Sequence, residues 1–154
     1  MRLVQTLLLT LLLACGPARN IEKEAAWKDV PLGVASGQVT GLVPISTADR
    51  EAVFSREGED KKWGKARIAV RYHFLDDRLW KVEVRTGDSL ALLDALKAEY
   101  GTPPFSKPWT WEGERVRMHF QGHEYDSAAV VTIVDKPIEQ EWLVIHPPPP
   151  PKPE

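Results

Sequence analysis

The sequence predicts an α+β domain, in which an antiparallel sheet of about five to seven strands packs on one face against one main helix at about residues 90–100. Residues 68–75 and 80–85 alternate between apolar and polar side chains with a period of two, which is typical of half-buried strands. A segment with helical spacing of leucines follows, and then come further segments rich in β-branched and aromatic residues. This order of strands, helix and strands favours an antiparallel sheet covered by the helix.

Three short segments precede the alternating pair. Residues 30–34 contain a proline and a glycine, which argue against a central strand there. Residues 39–45 are expected to form a short edge element. Residues 51–57 alternate weakly and predict a strand.

The alternating pair predicts a hairpin. Asp76-Asp77 lies between the two runs and suits a tight turn. On the return strand, a regular alternation places Trp80, Val82 and Val84 on one face of the sheet. The opposite face would then carry the charged side chains Lys81, Glu83 and Arg85.

The main helix has clear ends in the sequence. Asp88 or Ser89 can cap its first turn by accepting a hydrogen bond from a backbone N–H. Gly101 stands where a terminating residue belongs, and Pro103-Pro104 prevents the helix from continuing. Its apolar face is expected to comprise Leu92, Leu93, Leu96 and Tyr100.

A second β region follows the helix. Residues 109–112 and 115–121 predict strands joined by a Gly-Glu turn, and residues 128–134 are apolar enough for a well-buried strand. Asp135 and Pro137 then favour the start of a short final helix that runs to about Leu143.

The first residues predict a leader for export. Met1-Arg2 is positively charged, and the apolar segment that follows is about 18 Å long as a helix, too short for a hydrocarbon core of about 30 Å. Leu12-Leu13-Ala14-Cys15 resembles the lipobox of bacterial lipoproteins. The resemblance implies cleavage before Cys15 and acylation of its thiol, with membrane lipid as the resulting partner. In that family an aspartate directly after the cysteine signals retention at the inner membrane. Because Gly16 stands at that position, the resemblance also implies a location on the periplasmic face of the outer membrane.

These features divide the chain into four parts. We expect a lipoprotein signal peptide at residues 1–14, a lipid-anchored tether at 15–28, and a single α+β domain at 29–146. Residues 147–154 form a proline-rich tail that suits a polyproline II helix of roughly 25 Å. Such a tail either docks in an aromatic groove of a partner or stays solvated.

Composition restricts the functions considered. The chain has 20 basic and 22 acidic side chains, a net charge of −2, without the basic excess typical of a nucleic-acid binder. Cys15 is the only cysteine, so no disulfide can form within the chain. The sequence has no glycine motif for a nucleotide cofactor, and we predict no cofactor.

Histidines and carboxylates offer one catalytic hypothesis. His119 and His123 are close in sequence, and Glu124 and Asp126 follow. They fall at a strand end and in a loop, where this spacing does not favour a metal site, so none is predicted. An envelope hydrolase that uses the two histidines and nearby carboxylates is one alternative function, although we expect no catalytic residue.

The chain has six tryptophans, which suggest a binding surface. Trp109 and Trp111 share one face of a predicted strand, and Tyr100 with the following prolines lies close in sequence. Exposed tryptophans often mark contact sites, because they bury a large area and keep a polar N–H. A glycan- or peptide-binding module at Tyr100, Trp109 and Trp111 is therefore a second alternative, and packing of these rings in the core is the other interpretation.

The order of a hairpin, a helix ending in Tyr100-Gly101 with Pro103, and a hairpin bearing Trp111 resembles small uncharacterised bacterial secreted domains. This resemblance implies a fold rather than an activity. Taken together, the sequence favours a lipid-anchored envelope protein without catalytic activity, which binds another envelope protein in an assembly or accessory role.

Overall fold

One eight-stranded sheet, with a helix on each of its two faces, makes up most of the protein. A computed structural model describes residues 21, 26–103, 109–122 and 127–150. The elements in chain order are β1 (Ala26–Trp27), β2 (Val30–Pro31), a 3₁₀ turn (Ser36–Gln38), β3 (Leu42–Thr47), β4 (Glu51–Arg56), β5 (Lys62–Trp63), β6 (Ala66–Leu75), β7 (Arg78–Thr86), α1 (Ser89–Tyr100), β8 (Trp109–Glu112), β9 (Val116–Gln121), β10 (Ala129–Asp135) and α2 (Lys136–Ile145).

The sheet has the spatial order β3-β4-β6-β7-β10-β9-β8, and every pair is antiparallel. β5 pairs with the first residues of β6, beyond the point where β4 stops pairing with that strand. The α+β class and the antiparallel sheet are confirmed. When the two-residue β5 is included, the sheet has eight strands, which is one more than the upper limit of the expected five to seven.

The β6–β7 hairpin forms as the alternation predicts. Asp76 and Asp77 have φ angles of +47° and +59°, which the short polar side chains tolerate better than most residues. The Asp76 carboxylate accepts a 2.8 Å hydrogen bond from Arg50 Nε, and Asp77 Oδ1 accepts one of 3.0 Å from the Ser36 backbone N–H. These contacts tie the turn to neighbouring segments of the chain.

One residue of this hairpin points the opposite way from the prediction. The β6–β7 register shifts between His73 and Phe74, so Trp80 is an extra residue on β7. Such a β-bulge breaks the period of two. Trp80 therefore lies on the face opposite Val82 and Val84, and its predicted position among them was wrong.

Two hydrophobic clusters occupy the two faces. Leucines of α1 pack on the first face, and the N-terminal segment 27–32 adds to the same cluster. α2 packs on the second face. The first cluster includes Ile68, Val70, Tyr72, Phe74, Val82, Val84, Leu92, Leu93, Leu96, Met118, Phe120, Val131 and Ile133. The second consists of Leu75, Trp80, Val134 and Ile138, with Trp142 and Ile145 packed against it.

Both helices begin and end as their sequences indicate. The Asp88 carboxylate accepts a 3.0 Å hydrogen bond from Ala91 N, and Gly101 terminates α1 with a φ of +78°. Asp135 caps α2 in the same way. Because α2 has ten residues and its own cluster on the second face, the expectation of a single main helix is not confirmed.

Candidate functional site

Trp111, one of the three predicted binding residues, lies in the core. Its side chain belongs to the first cluster, and the residue is 6% exposed. The indole Nε1 donates a 2.8 Å hydrogen bond to the Gly101 carbonyl, just beyond the end of α1. The buried N–H is thereby satisfied, so the structure accounts for this tryptophan through packing.

Tyr100 and Trp109 keep part of their surface exposed. Lys97 Nζ lies 4.5 Å from the Trp109 ring centroid, within the range of a cation–π interaction. The Tyr100 ring contacts the edge of Trp63, with centroids 6.4 Å apart. Pro103 is buried, and residues 104–108 lie outside the described residues. Two half-buried rings, rather than a patch of three, are therefore available for the predicted glycan or peptide site.

Of the two histidines of the hydrolase hypothesis, His119 lies within the described residues and His123 lies outside them. His119 Nδ1 lies 2.9 Å from Thr110 Oγ1, on the second face of the sheet, while residues 123–126 lie outside the described range. Burial and the nearby Arg117 lower the pKa of His119. His73 is on the same face, but β7 and β10 separate the two strands, which corresponds to roughly 14 Å. One small ligand cannot reach both rings at hydrogen-bond distance.

His73 is a half-buried residue with one buried ring nitrogen, which no pattern in the sequence indicates. Its Nε2 atom has no hydrogen-bond partner and is closed off from solvent. Burial, together with the nearby charge of Lys81, lowers its pKa to about 4. The imidazole is therefore neutral near pH 7.

Two pairs of carboxylates lie close together in the sequence, Asp76 with Asp77 and Glu139 with Glu141, but their side chains bond separate partners. Pairs suited to general acid–base catalysis need two carboxyl groups aimed at one site. Here each carboxylate bonds a different side chain, and the pKa of Asp77 is lowered by its bond from Ser36. The four carboxylates and their hydrogen-bond donors are Asp76 with Arg50, Asp77 with Ser36, Glu139 with Arg117, and Glu141 with Arg78. Across the described residues, no cluster of three acidic, histidine or cysteine side chains could hold a metal ion.

Exposed apolar side chains are concentrated on two segments. The large hydrophobic residues that the described structure leaves exposed are Val43, Ile45, Leu90, Leu143 and Val144. Two of these lie on β3, which is an edge of the sheet, and two lie on the last turn of α2. Leu90 lies apart from them, at the start of α1.

The two segments are joined through Glu51, the first residue of β4. Its Oε1 accepts a 3.2 Å hydrogen bond from Trp142 Nε1 and lies 3.0 Å from His146 Nε2. Its backbone carbonyl accepts a 2.7 Å bond from Ala48 N, just after β3. The last turn of α2 therefore lies beside the β3–β4 hairpin. We call the four exposed side chains Val43, Ile45, Leu143 and Val144 the β3–α2 corner.

A cleft borders Val43, one of the four side chains of the β3–α2 corner. Its volume is about 520 Å³, and it opens where β4 and β6 diverge. Val43, Ser55 and Ala69 contribute to its walls. The exposed edge of the sheet therefore borders a concave surface, which no local pattern in the sequence indicates.

Cys15 and the rest of the predicted leader lie outside the described residues. Among the described helices, none has the length and apolar character needed to span a bilayer. Comparison of the chain with protein families, with curated proteins and with solved structures gave no match.

Proposed function

We propose that the chain is a lipid-anchored protein of the bacterial cell envelope and that it lacks catalytic activity. In this proposal it binds another envelope protein and has an assembly, stabilising or accessory role. The lipobox-like sequence that ends at Cys15 supports the anchor. The observation that carries the binding role is the β3–α2 corner, where four of the five large apolar side chains that are exposed among the described residues lie.

Exposed apolar groups of this kind favour a protein partner. Removal of apolar side chains from water by a partner lowers the free energy of the system. Apolar side chains grouped at one surface therefore commonly mark interaction sites. Among the described strands β3 lies at the edge of the sheet, where a partner strand can add through backbone hydrogen bonds. Pro44 and the bulge that follows it limit uncontrolled pairing at this edge.

The proline-rich segment begins at the same corner. Pro147–Pro150 follows His146, whose ring stacks on Trp142 with centroids 4.6 Å apart. A polyproline II segment is extended before binding, so a partner with an aromatic groove orders it at little entropic cost. The corner and the tail can therefore contribute to one interface.

A glycan or peptide site at Tyr100 and Trp109 is the second candidate, since both rings keep an exposed part. It predicts that Trp109→Ala abolishes binding to envelope glycan or peptide fragments. Ile45→Ser would leave that binding intact, because Ile45 belongs to the β3–α2 corner.

Site-specific crosslinking in native envelopes tests the protein contact. A photoreactive residue at position 45 or 144 should capture a defined protein, whereas position 90 should capture none. Leu90 is a matched control because it is as exposed as Ile45, both at 49%, but lies on α1. Ile45→Ser should reduce co-purification of the captured protein, and Leu90→Ser should not. Equal capture at all three positions would contradict the proposed surface.

The anchor has its own test. The mature product from native membranes should begin at Cys15, carry the added mass of acyl chains, and enter the detergent phase on partitioning. A mass explained by amino acids alone would remove the proposed localisation, while the crosslinking result would stand by itself.

A further inference from the structure

The β5–β6 hairpin places two cations directly opposite each other. Lys62 pairs with Arg67 in the antiparallel register, and both side chains are exposed. Because Trp63 and Ala66 point into the first cluster, Lys62 and Arg67 point to the second face of the sheet. Like charges at directly opposed positions destabilise a sheet, so folding alone does not explain this pair.

Two further exposed cations flank this pair. Lys61 and Lys65 lie beside it in the chain, and we call Lys61, Lys62, Lys65 and Arg67 the basic hairpin. None of the four has an ion pair with a carboxylate in the described part of the chain.

The nearest preceding acidic side chains already have other partners. Glu59 Oε1 accepts a 2.8 Å hydrogen bond from Trp27 Nε1 and a second bond from the Tyr72 hydroxyl. Asp60 lies 3.7 Å from Lys28 Nζ. These carboxylates form no ion pair with the basic hairpin across the described residues, although Asp88 and Asp94 line the same surface pocket as Lys65.

The N-terminal chain enters the domain at this hairpin. The rings of Trp27 and Trp63 meet edge to face, with centroids 4.8 Å apart. Ile21 also packs against the first cluster, and the six residues from Cys15 to Ile21 span at most about 20 Å when fully extended. A bilayer that holds acyl chains on Cys15 is therefore within reach of the basic hairpin.

We propose that the basic hairpin is a second membrane contact, which binds the phosphate groups of anionic phospholipids and orients the domain on the bilayer. This inference rests on the proposed anchor at Cys15. A lipid surface is the occupant that fits, because Trp27 lies against Trp63 of the hairpin and flexible cationic side chains suit a layer of mobile headgroups. On the same face of the sheet, Arg71 lies opposite Glu83, which forms an ion pair with Arg85, so these three side chains add one positive charge. The helix α2 packs at the opposite end of β6, about 30 Å from the basic hairpin.

Vesicle binding by the unlipidated chain tests this proposal. The probe is residues 15–154 with Cys15→Ser, which retains every described contact, mixed with vesicles that contain phosphatidylglycerol or phosphatidylcholine alone. We expect binding to the anionic vesicles only, with release as salt rises. Lys62→Gln with Arg67→Gln should weaken the apparent affinity about 30-fold, at roughly fivefold for each cation near an anionic surface.

Arg50→Gln with Arg78→Gln is the matched control. It removes the same charge from exposed residues near the β6–β7 turn and should change the affinity by less than about twofold. Absence of binding to anionic vesicles at low salt, or an equal loss in both double variants, would overturn the proposal. The assay needs neither an acyl chain nor a protein partner, so its failure is distinct from failure of the proposed anchor or protein contact.

Discussion

The indole rings of Trp80 and Trp142 stack with their centroids 5.3 Å apart and an angle of 21° between their planes. Trp80 reaches the second face because the bulge in β7 turns it there. Trp142 Nε1 also donates a hydrogen bond to Glu51 on β4. The helix α2 begins at the end of β10, and β10 lies three positions from β4 in the sheet. This pair therefore holds α2 across the sheet and fixes the position of the β3–α2 corner.

Trp142→Ala should destabilise the protein by about 2–3 kcal/mol, because it removes a large, partly buried ring together with its stacking on Trp80. Urea unfolding measures the loss. Val144→Ala is the control on the same helix, and since Val144 is 82% exposed it should change stability by less than about 0.5 kcal/mol. Faster hydrogen exchange should be confined to α2 in the tryptophan variant. Equal stability of the two variants would show that the stack does not hold the helix.

The fold was predicted where the sequence carries local signals. The Asp76-Asp77 turn, the Asp88 cap and Gly101 each act within a few residues, and the elements they bound are present. The predicted face of Trp80 was wrong, since one extra residue reverses the alternation and no local signal marks it. The same holds for α2, whose start is visible at Asp135 but whose packing face depends on strands distant in the chain.

The candidate site was less accessible to sequence reasoning. Trp109 and Trp111 share a strand face, but their different exposure depends on where the Gly101 carbonyl lies in space. The β3–α2 corner requires α2 to cross β4, and Glu51 lies more than ninety residues before Trp142. The opposition of Lys62 and Arg67 needs the register of β5, which is too short for periodicity to reveal.

Trp111→Phe should destabilise the domain by about 1–2 kcal/mol, because it leaves the Gly101 carbonyl without its indole donor. Trp109→Phe should cost less than about 1 kcal/mol, since it weakens only a partly exposed contact with Lys97. Urea unfolding of both variants gives the comparison. A larger loss from the Trp109 variant would contradict the assignment of Trp111 to the core and of Trp109 to the surface.

His73 should make the protein sensitive to acid. In the unfolded chain its pKa is near 6.5, whereas burial lowers its pKa to about 4 in the folded protein. The unfolded state therefore binds a proton more readily, so the contribution of His73 is complete above about pH 6.5 and declines as the pH falls towards 4. Wild type should lose roughly 2–3 kcal/mol from this group between pH 7 and pH 4.5, and His73→Phe should lose that much less. At pH 7 the variant should be at least as stable, because the replaced Nε2 has no hydrogen-bond partner. Urea unfolding at the two pH values provides the measurement, with His119→Gln as a control that retains His73. If His73→Phe lost as much stability as wild type over this interval, His73 would not be the group that couples folding to acid.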